Sequence, residues 1–265
     1  DRNRTSPFAF TGNKFEFRMP GSAVNLSDAN VVLNIAVAKA LKEFSESVEG
    51  AEDFEKAARA KVAKTLKEHQ RIIFNGNGYS EEWPKEAEKR GLLNLVSAVD
   101  ALPSIIADKN IALYEEFGIL TKAELESRYE VKLEQYSKLV NIEARTMLRM
   151  ARQQYLPAVS DYAANVAGNI CAVKDAAPAA STHAEEKTLE KLSKGSDDIF
   201  DLIQELIDLV EKARYIEDAY DQARCYHDEV LPKMEALREV VDKLERIVDD
   251  EYWPVPSYNK MLFYI

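Results

Sequence analysis

From Ile199 to Val248 the apolar residues return at steps of three and four. Ile199, Leu202, Leu206, Leu209, Ala213, Ile216, Tyr220 and Ala223 form one seam, and Val230, Met234, Leu237, Val241, Leu244 and Val248 form a second. A seam of this period keeps one helix face apolar over many turns, and such a face must be buried against another helix. Two seams in succession predict an antiparallel coiled-coil hairpin over about 182–250, turning near His227 to Pro232. The same period runs through most of the chain upstream. Leu33, Ala36, Val37, Ala40, Leu41 and Phe44 mark a helix that starts near Ser27 and is interrupted at Gly50. A second is expected over about 51–71, and a third from Trp83-Pro84 to Gly91. Two short helices should follow, broken at Pro103 and near Asn110, with a stop at Gly118. Thr121 and Glu124 form a T-x-x-E capping box ahead of Leu125, Tyr129, Leu133, Tyr136 and Val140, with a kink or restart at Pro157. Ala176 to Ala180, with Pro178 among them, break the chain again. Thr182 with Glu185 reads as a second capping box, and Gly195-Ser196 as the end of one helix and the N-cap of the next. The fold class expected is therefore mainly α, a multi-helix bundle ending in the long hairpin. After the hairpin, Trp253-Pro254 ends the helix and an aromatic tail from Tyr258 to Ile265 is expected to dock on the body.

The first 25 or so residues break this pattern. Pro7, Gly12, Pro20 and Gly21 punctuate them, and Asn13-Lys14-Phe15-Glu16-Phe17-Arg18-Met19 alternates polar and aromatic residues as a half-buried strand does. Period two sets Lys14, Glu16 and Arg18 on one face, each about 6.5 Å from the next, and turns Phe15 and Phe17 toward a core. A carboxylate oxygen ligates a hard divalent cation, and a guanidinium clamps a phosphoryl group through paired hydrogen bonds. The same pattern also fits a cross-strand salt-bridge ladder, and periodicity does not separate the two.

Little else in the chain carries chemistry. His69, His183 and His227 are isolated, and no H-E-x-x-H, G-x-S-x-G or phosphate-loop pattern occurs. Asn75-Gly76-Asn77-Gly78 reads as a turn. Cys171 and Cys225 are too far apart in sequence for a C-x-x-C site and read as buried free thiols of a reducing, cytoplasmic setting. A formal charge of −11 on 265 residues argues against a nucleic-acid or anionic-membrane partner, and no apolar run has the length of a bilayer span. The chain opens at Asp1 inside a structured-looking segment, which reads as a piece of a longer protein.

Asn3-Arg4-Thr5, followed by Phe15-Glu16-Phe17-Arg18-Met19-Pro20, resembles the glutamine synthetase catalytic domain, which carries an N-R-S/T segment and then an E-x-R-x-P strand. Phe74-Asn75-Gly76-Asn77-Gly78-Tyr79-Ser80, the stretch around Tyr136 to Glu143, and Glu251-Tyr252-Trp253-Pro254 are similar to the type III branch of that family. The resemblance covers essentially the whole chain. It implies that residues 1–50 close the catalytic domain, as a strand remnant of its sheet plus the first helix, and that 51–265 form a C-terminal helical domain. It implies that Glu16 ligates Mg²⁺ or Mn²⁺, that Arg18 contacts the transferred phosphoryl group and that Arg4 lies on the ATP phosphates. Lys14 falls near the nucleotide, where other branches carry arginine. Ala9 is a departure, since other branches have a further arginine there.

The implied reaction joins ammonia to glutamate through a glutamyl phosphate made from ATP, in a large ring homo-oligomer. The isolated piece is expected to be inactive, because the remaining ligands and the ammonium site would lie upstream. The alternative reading is a non-catalytic helical module that stabilises the ring.

Overall fold

The computed structural model describes residues 8–10, 13–18, 21, 24–73, 77–256 and 258–262. The chain divides into two compact units, Asp1–Glu126 and Ser127–Ile265. Both are dominated by helices, as the sequence period demands. Among the described residues the sole strands are β1 (Phe8–Phe10) and β2 (Phe15–Phe17), which pair antiparallel with Phe8 opposite Phe17 and Ala9 opposite Glu16.

In the first unit α1 spans Ser27–Val48 and α2 spans Phe54–Glu68, joined across Gly50, whose φ of 75° lies in the left-handed region that glycine tolerates. Asp53 caps α2 by accepting from the Lys56 amide at 3.0 Å. Then follow α3 (Glu82–Lys89), α4 (Ala98–Ala101), a 3₁₀ segment at Leu102–Ile106 and α5 (Asp108–Glu116). The expected break at Asn110 does not occur. Asn110 lies inside α5 and its side-chain amide donates to the Ser104 carbonyl at 2.5 Å, so the residue fastens the start of the helix instead of stopping it. The Thr121 capping box forms as expected: Glu124 accepts from the Thr121 amide at 2.8 Å, and the Thr121 hydroxyl accepts from the Glu124 amide at 3.4 Å. It opens α6 (Lys122–Met150). Among the described residues of this unit the buried apolar ones are few, Ile35, Val48, Ala87, Val99, Ile111 and Leu125, while Val32, Leu41, Phe54, Leu66, Leu93 and Val96 are exposed.

The second unit is a three-helix bundle. Its first arm is α6 continued through a π-helical turn (Ala151–Tyr155) into α7 (Leu156–Ala176). Its second arm is α8 (His183–Arg214). Its third is α9 (Ala219–Cys225), a second π turn (Tyr226–Val230) and α10 (Leu231–Glu245). Lys212 bonds Glu229 at 2.6 Å, Glu205 bonds Lys233 and Gly195 meets Leu244, a descending against an ascending order that makes α8 and α10 antiparallel. The turn between them lies at Tyr215–Asp218, not near Pro232 as expected. Asp218 caps α9 through the Asp221 amide at 2.9 Å, and Gln222 donates its side-chain amide to the carbonyls of Ala213 and Ile216, closing the corner.

Pro157, read as a kink or restart, and Pro232, read as part of the hairpin turn, are carried within continuous arms. Proline lacks an N–H and its ring collides with the carbonyl four residues back in an α-helix. Each π turn sits directly before a Leu-Pro pair, and the leucine amide reaches five residues back, Leu156 to the Ala151 carbonyl and Leu231 to the Tyr226 carbonyl. The wider turn accommodates the ring without ending the arm.

One core joins the three arms. Val140, Ala144, Leu148, Val159 and Val166 meet Leu192, Ile199, Ile203, Leu206 and Val210, and these meet Val230, Leu237, Val241 and Leu244. Ile203 and Val210 lie outside the predicted α8 seam yet are buried, because α8 faces two neighbours and needs a broader apolar stripe than a two-stranded pair would. Gly195-Ser196 does not end a helix. An added Cβ at Gly195 would stand 2.6 Å from Leu244 Cδ2, so the glycine marks close approach of α8 and α10. The second capping box also takes another form: the buried Thr182 hydroxyl donates to Glu186 at 2.6 Å, and Glu185 takes no part in this bond. At the far end Trp253 is buried against Tyr155 and Tyr252 meets the Tyr162 ring, so these two aromatics dock the C-terminal segment. In the described part of the tail, α11 (Tyr258–Leu262), Met261 and Leu262 are exposed.

Candidate functional site

Alternation in β2 has the consequence the sequence predicts. Glu16 and Arg18 project to the same side, and the Arg18 Nη2 donates to Glu16 Oε2 at 3.2 Å. Both side chains are partly exposed, so the pair is a surface feature of this chain. Phe15 and Phe17 take the opposite face. They are not in a core, however: they are 59% and 41% exposed. With Phe8, which stacks on Phe15 at a centroid distance of 4.9 Å, and with Leu33 and Val37 of α1, they line a shallow cleft of about 300 Å³. A two-stranded hairpin offers too little neighbouring surface to bury three phenylalanines.

Lys14 lies in the bend before β2 and is exposed. Arg4, the expected nucleotide arginine, lies outside the described residues, as do Asn3, Thr5 and Met19-Pro20. The structure thus brings Glu16 and Arg18 together and describes Lys14 in the adjoining bend. Ala9, where a further arginine was noted in related branches, is the cross-strand partner of Glu16 in the hairpin register.

Among the described residues no group of three His, Cys, Asp or Glu side chains is placed to hold a metal ion. Hard divalent cations take six or more oxygens, several of them water in the case of Mg²⁺. Glu16 fits as one carboxylate donor to such an ion, with further protein ligands required from residues beyond this cluster.

His227 Nδ1 contacts Asp228 at 2.6 Å on the surface of the second π turn. Cys225 is buried, and burial, aided by Glu229, pushes its thiol pKa up. Cys171 is exposed, contrary to the reading of both as buried thiols, because it falls on the outer face of α7. The turn reading of Asn75 to Gly78 concerns residues partly outside the description; of those described, Asn77 organises a turn by accepting from the Tyr79 amide at 3.1 Å.

The glutamine synthetase C-terminal domain model matches residues 57–174. Over 99% of its length the chain is 36% identical to the type-3 glutamine synthetase of Dictyostelium discoideum, and likewise 36% identical to a glutamine synthetase of Butyrivibrio fibrisolvens. A glutamine synthetase of Bacteroides fragilis (strain YCH46) is 35% identical over the same share. The chain belongs to the glutamine synthetase family. It spans 37–38% of the length of these relatives, a little over a third. The matched family domain begins in α2 and ends in α7, so it includes residues of both compact units. No helix among the described residues is long and apolar enough to cross a membrane.

Proposed function

We propose that this chain is the C-terminal portion of a glutamate–ammonia ligase, contributing one metal-binding carboxylate and one phosphoryl-binding guanidinium to a site completed by other residues. The observation that carries this reading is the side-by-side projection of Glu16 in β2 and Arg18 directly after it, joined at 3.2 Å. In the assigned reaction ATP phosphorylates the side-chain carboxylate of glutamate, and ammonia then displaces phosphate to give glutamine. The barrier is chiefly electrostatic, because negative charge is crowded around the transferred phosphorus. Mg²⁺ or Mn²⁺, when bound, would supply charge neutralisation at the phosphoryl oxygens. Glu16 offers a donor oxygen to that ion. Its second oxygen holds the Arg18 guanidinium, whose planar fork is thereby oriented toward the phosphoryl group. Arg4 and Lys14 add positive charge on the nucleotide side.

The first 50 residues then belong to the catalytic domain and 51–265 to the helical extension. Support for this comes from the exposed phenylalanines of the hairpin and the many exposed apolar residues of α1 and α2, which suit a surface that another part of the enzyme covers. In the intact enzyme Glu16→Ala should weaken divalent-metal binding in calorimetry and lower turnover more than about a hundredfold, the scale for losing one preorganised charge stabiliser. Wild-type turnover in that variant would overturn the assignment. The 265-residue chain by itself should form no glutamine. To the helical extension we assign, as the alternative role, stabilisation of a ring homo-oligomer in the cytoplasm. Deleting Ser181 to Asp250 should then change oligomer size in light scattering while metal binding at Glu16 persists.

A further inference from the structure

The second unit contains a pocket of about 660 Å³ that the reaction above does not use. Met147 and Met150 of α6, Tyr155 of the first π turn, Met234 of α10, and Trp253 and Met261 of the C-terminal segment line it. Its volume is that of a small-molecule site. Methionine walls are polarisable and adapt to irregular ligands, and the Tyr155 and Trp253 rings, 5.1 Å apart and inclined by 38°, close one end with aromatic surface. A π turn at the pocket wall is a further mark of a place where helix regularity is given up, which occurs often at ligand sites.

The mouth has a definite charge. Glu143, Asp242 and Glu245 line the pocket with a single cation, Arg238, whose Nε donates to Asp242 at 3.4 Å. Among the described residues Glu143 and Glu245 enter no ion pair, which leaves two carboxylates unneutralised beside an apolar, aromatic interior. Negative charge and π faces together favour a cation with an apolar body. We propose that this pocket binds a small organic amine, its ammonium group held at Glu143 and Glu245 and its aromatic or alkyl body seated among the methionines against Trp253. The pocket is independent of Glu16 and Arg18, so its failure would leave the ligase reading untouched.

The chain has two tryptophans, Trp83 and Trp253, so Trp83→Phe makes the pocket residue the sole tryptophan, to be excited selectively at the red edge beyond tyrosine absorption. The full 265-residue chain carrying Trp83→Phe would be titrated with 4-phenylbutylamine and with 5-phenylpentanoate, probes of similar size and opposite charge. Calorimetry on the unsubstituted chain would check the ranking. The amine should give a saturable change in Trp253 emission and the acid should bind at least about tenfold more weakly. Thr146→Phe, an exposed α6 position on the pocket lining, should abolish the signal with the circular dichroism unchanged. Glu143→Gln with Glu245→Gln should erase the preference for the amine while the apolar contribution persists. Equal binding of amine and acid, no saturable change, indifference to Thr146→Phe, or a response only to a basic amphipathic helical peptide would each overturn the proposal.

Discussion

Replacing Gly195 by alanine would drive a methyl group into the side chain of Leu244. The added Cβ would lie 2.6 Å from Leu244 Cδ2, 2.8 Å from Cδ1 and 3.1 Å from Cγ. Carbon atoms in contact prefer about 3.5–4.0 Å, so the leucine must retreat by roughly 1 Å. Leu244 is 2% exposed and has packed neighbours on every side, so the retreat displaces other core atoms. Overpacking of this kind costs about 1–3 kcal/mol, and the lower half of that range applies because the nearest atoms are the leucine tips. Helix propensity works the other way: alanine is favoured over glycine inside a helix by about 1 kcal/mol. The net expectation is a loss of about 0–1 kcal/mol, or at most about 4 °C in Tm for a chain of this size.

Equilibrium denaturation in guanidinium, followed by far-UV circular dichroism, would measure the change. A double-mutant cycle sharpens it. Leu244→Ala alone should cost about 2–5 kcal/mol by leaving a cavity. In that background the same Gly195→Ala change should turn neutral or stabilising, since the vacated space accepts the methyl. The two substitutions should therefore couple by about 1–2 kcal/mol. If Gly195→Ala raised stability in the parent chain, or the two effects simply added, Gly195 would not be held for close approach and the α8–α10 packing argument would fail.

Other expectations concern separate parts of the chain. A thiol reagent should label one cysteine quickly in the native protein, the exposed Cys171, and reach the buried Cys225 only in denaturant; mass spectrometry after a timed quench would show two equal rates if this is wrong. Hydrogen bonds from Lys39 at 2.8 Å and Lys42 at 2.9 Å hold the Glu116 carboxyl below the usual carboxylate range and raise both lysines. The glutamate's stabilising contribution is thus full at neutral pH and lost as pH falls through and below about 4.5, while that of the lysines is lost only as pH rises past about 10.5. Glu116→Gln should flatten the acid limb of a Tm-versus-pH curve, and an unchanged limb would remove the pair from consideration. Thr121→Ala should cost about 1 kcal/mol by uncapping α6, measured by the same denaturation assay.

Much of the helical layout was legible in residue spacing, because local punctuation acts locally. Gly50, Gly91 and Gly118 all take the left-handed conformation and all end segments where predicted, and Thr121 caps α6 with the residues its motif names. The candidate site was legible for the same reason. Strand alternation obliges Glu16 and Arg18 to share a side, and it obliges Phe15 and Phe17 to share the other. Burial of those phenylalanines was not legible, since it depends on surface that a two-stranded hairpin does not provide.

The residues by themselves determined that this chain is mainly helical, where most helices start and stop, and which two charged side chains stand together at its beginning. Tertiary structure alone decided whether Gly195 ended a helix or admitted a neighbour, whether Leu156-Pro157 and Leu231-Pro232 broke an arm or were absorbed by π turns, and that the turn between α8 and α10 fell at Tyr215–Asp218. The physical reason is that a glycine or proline states only which backbone geometries are cheap. What the facing helix places opposite it, here Leu244 against Gly195, selects among them.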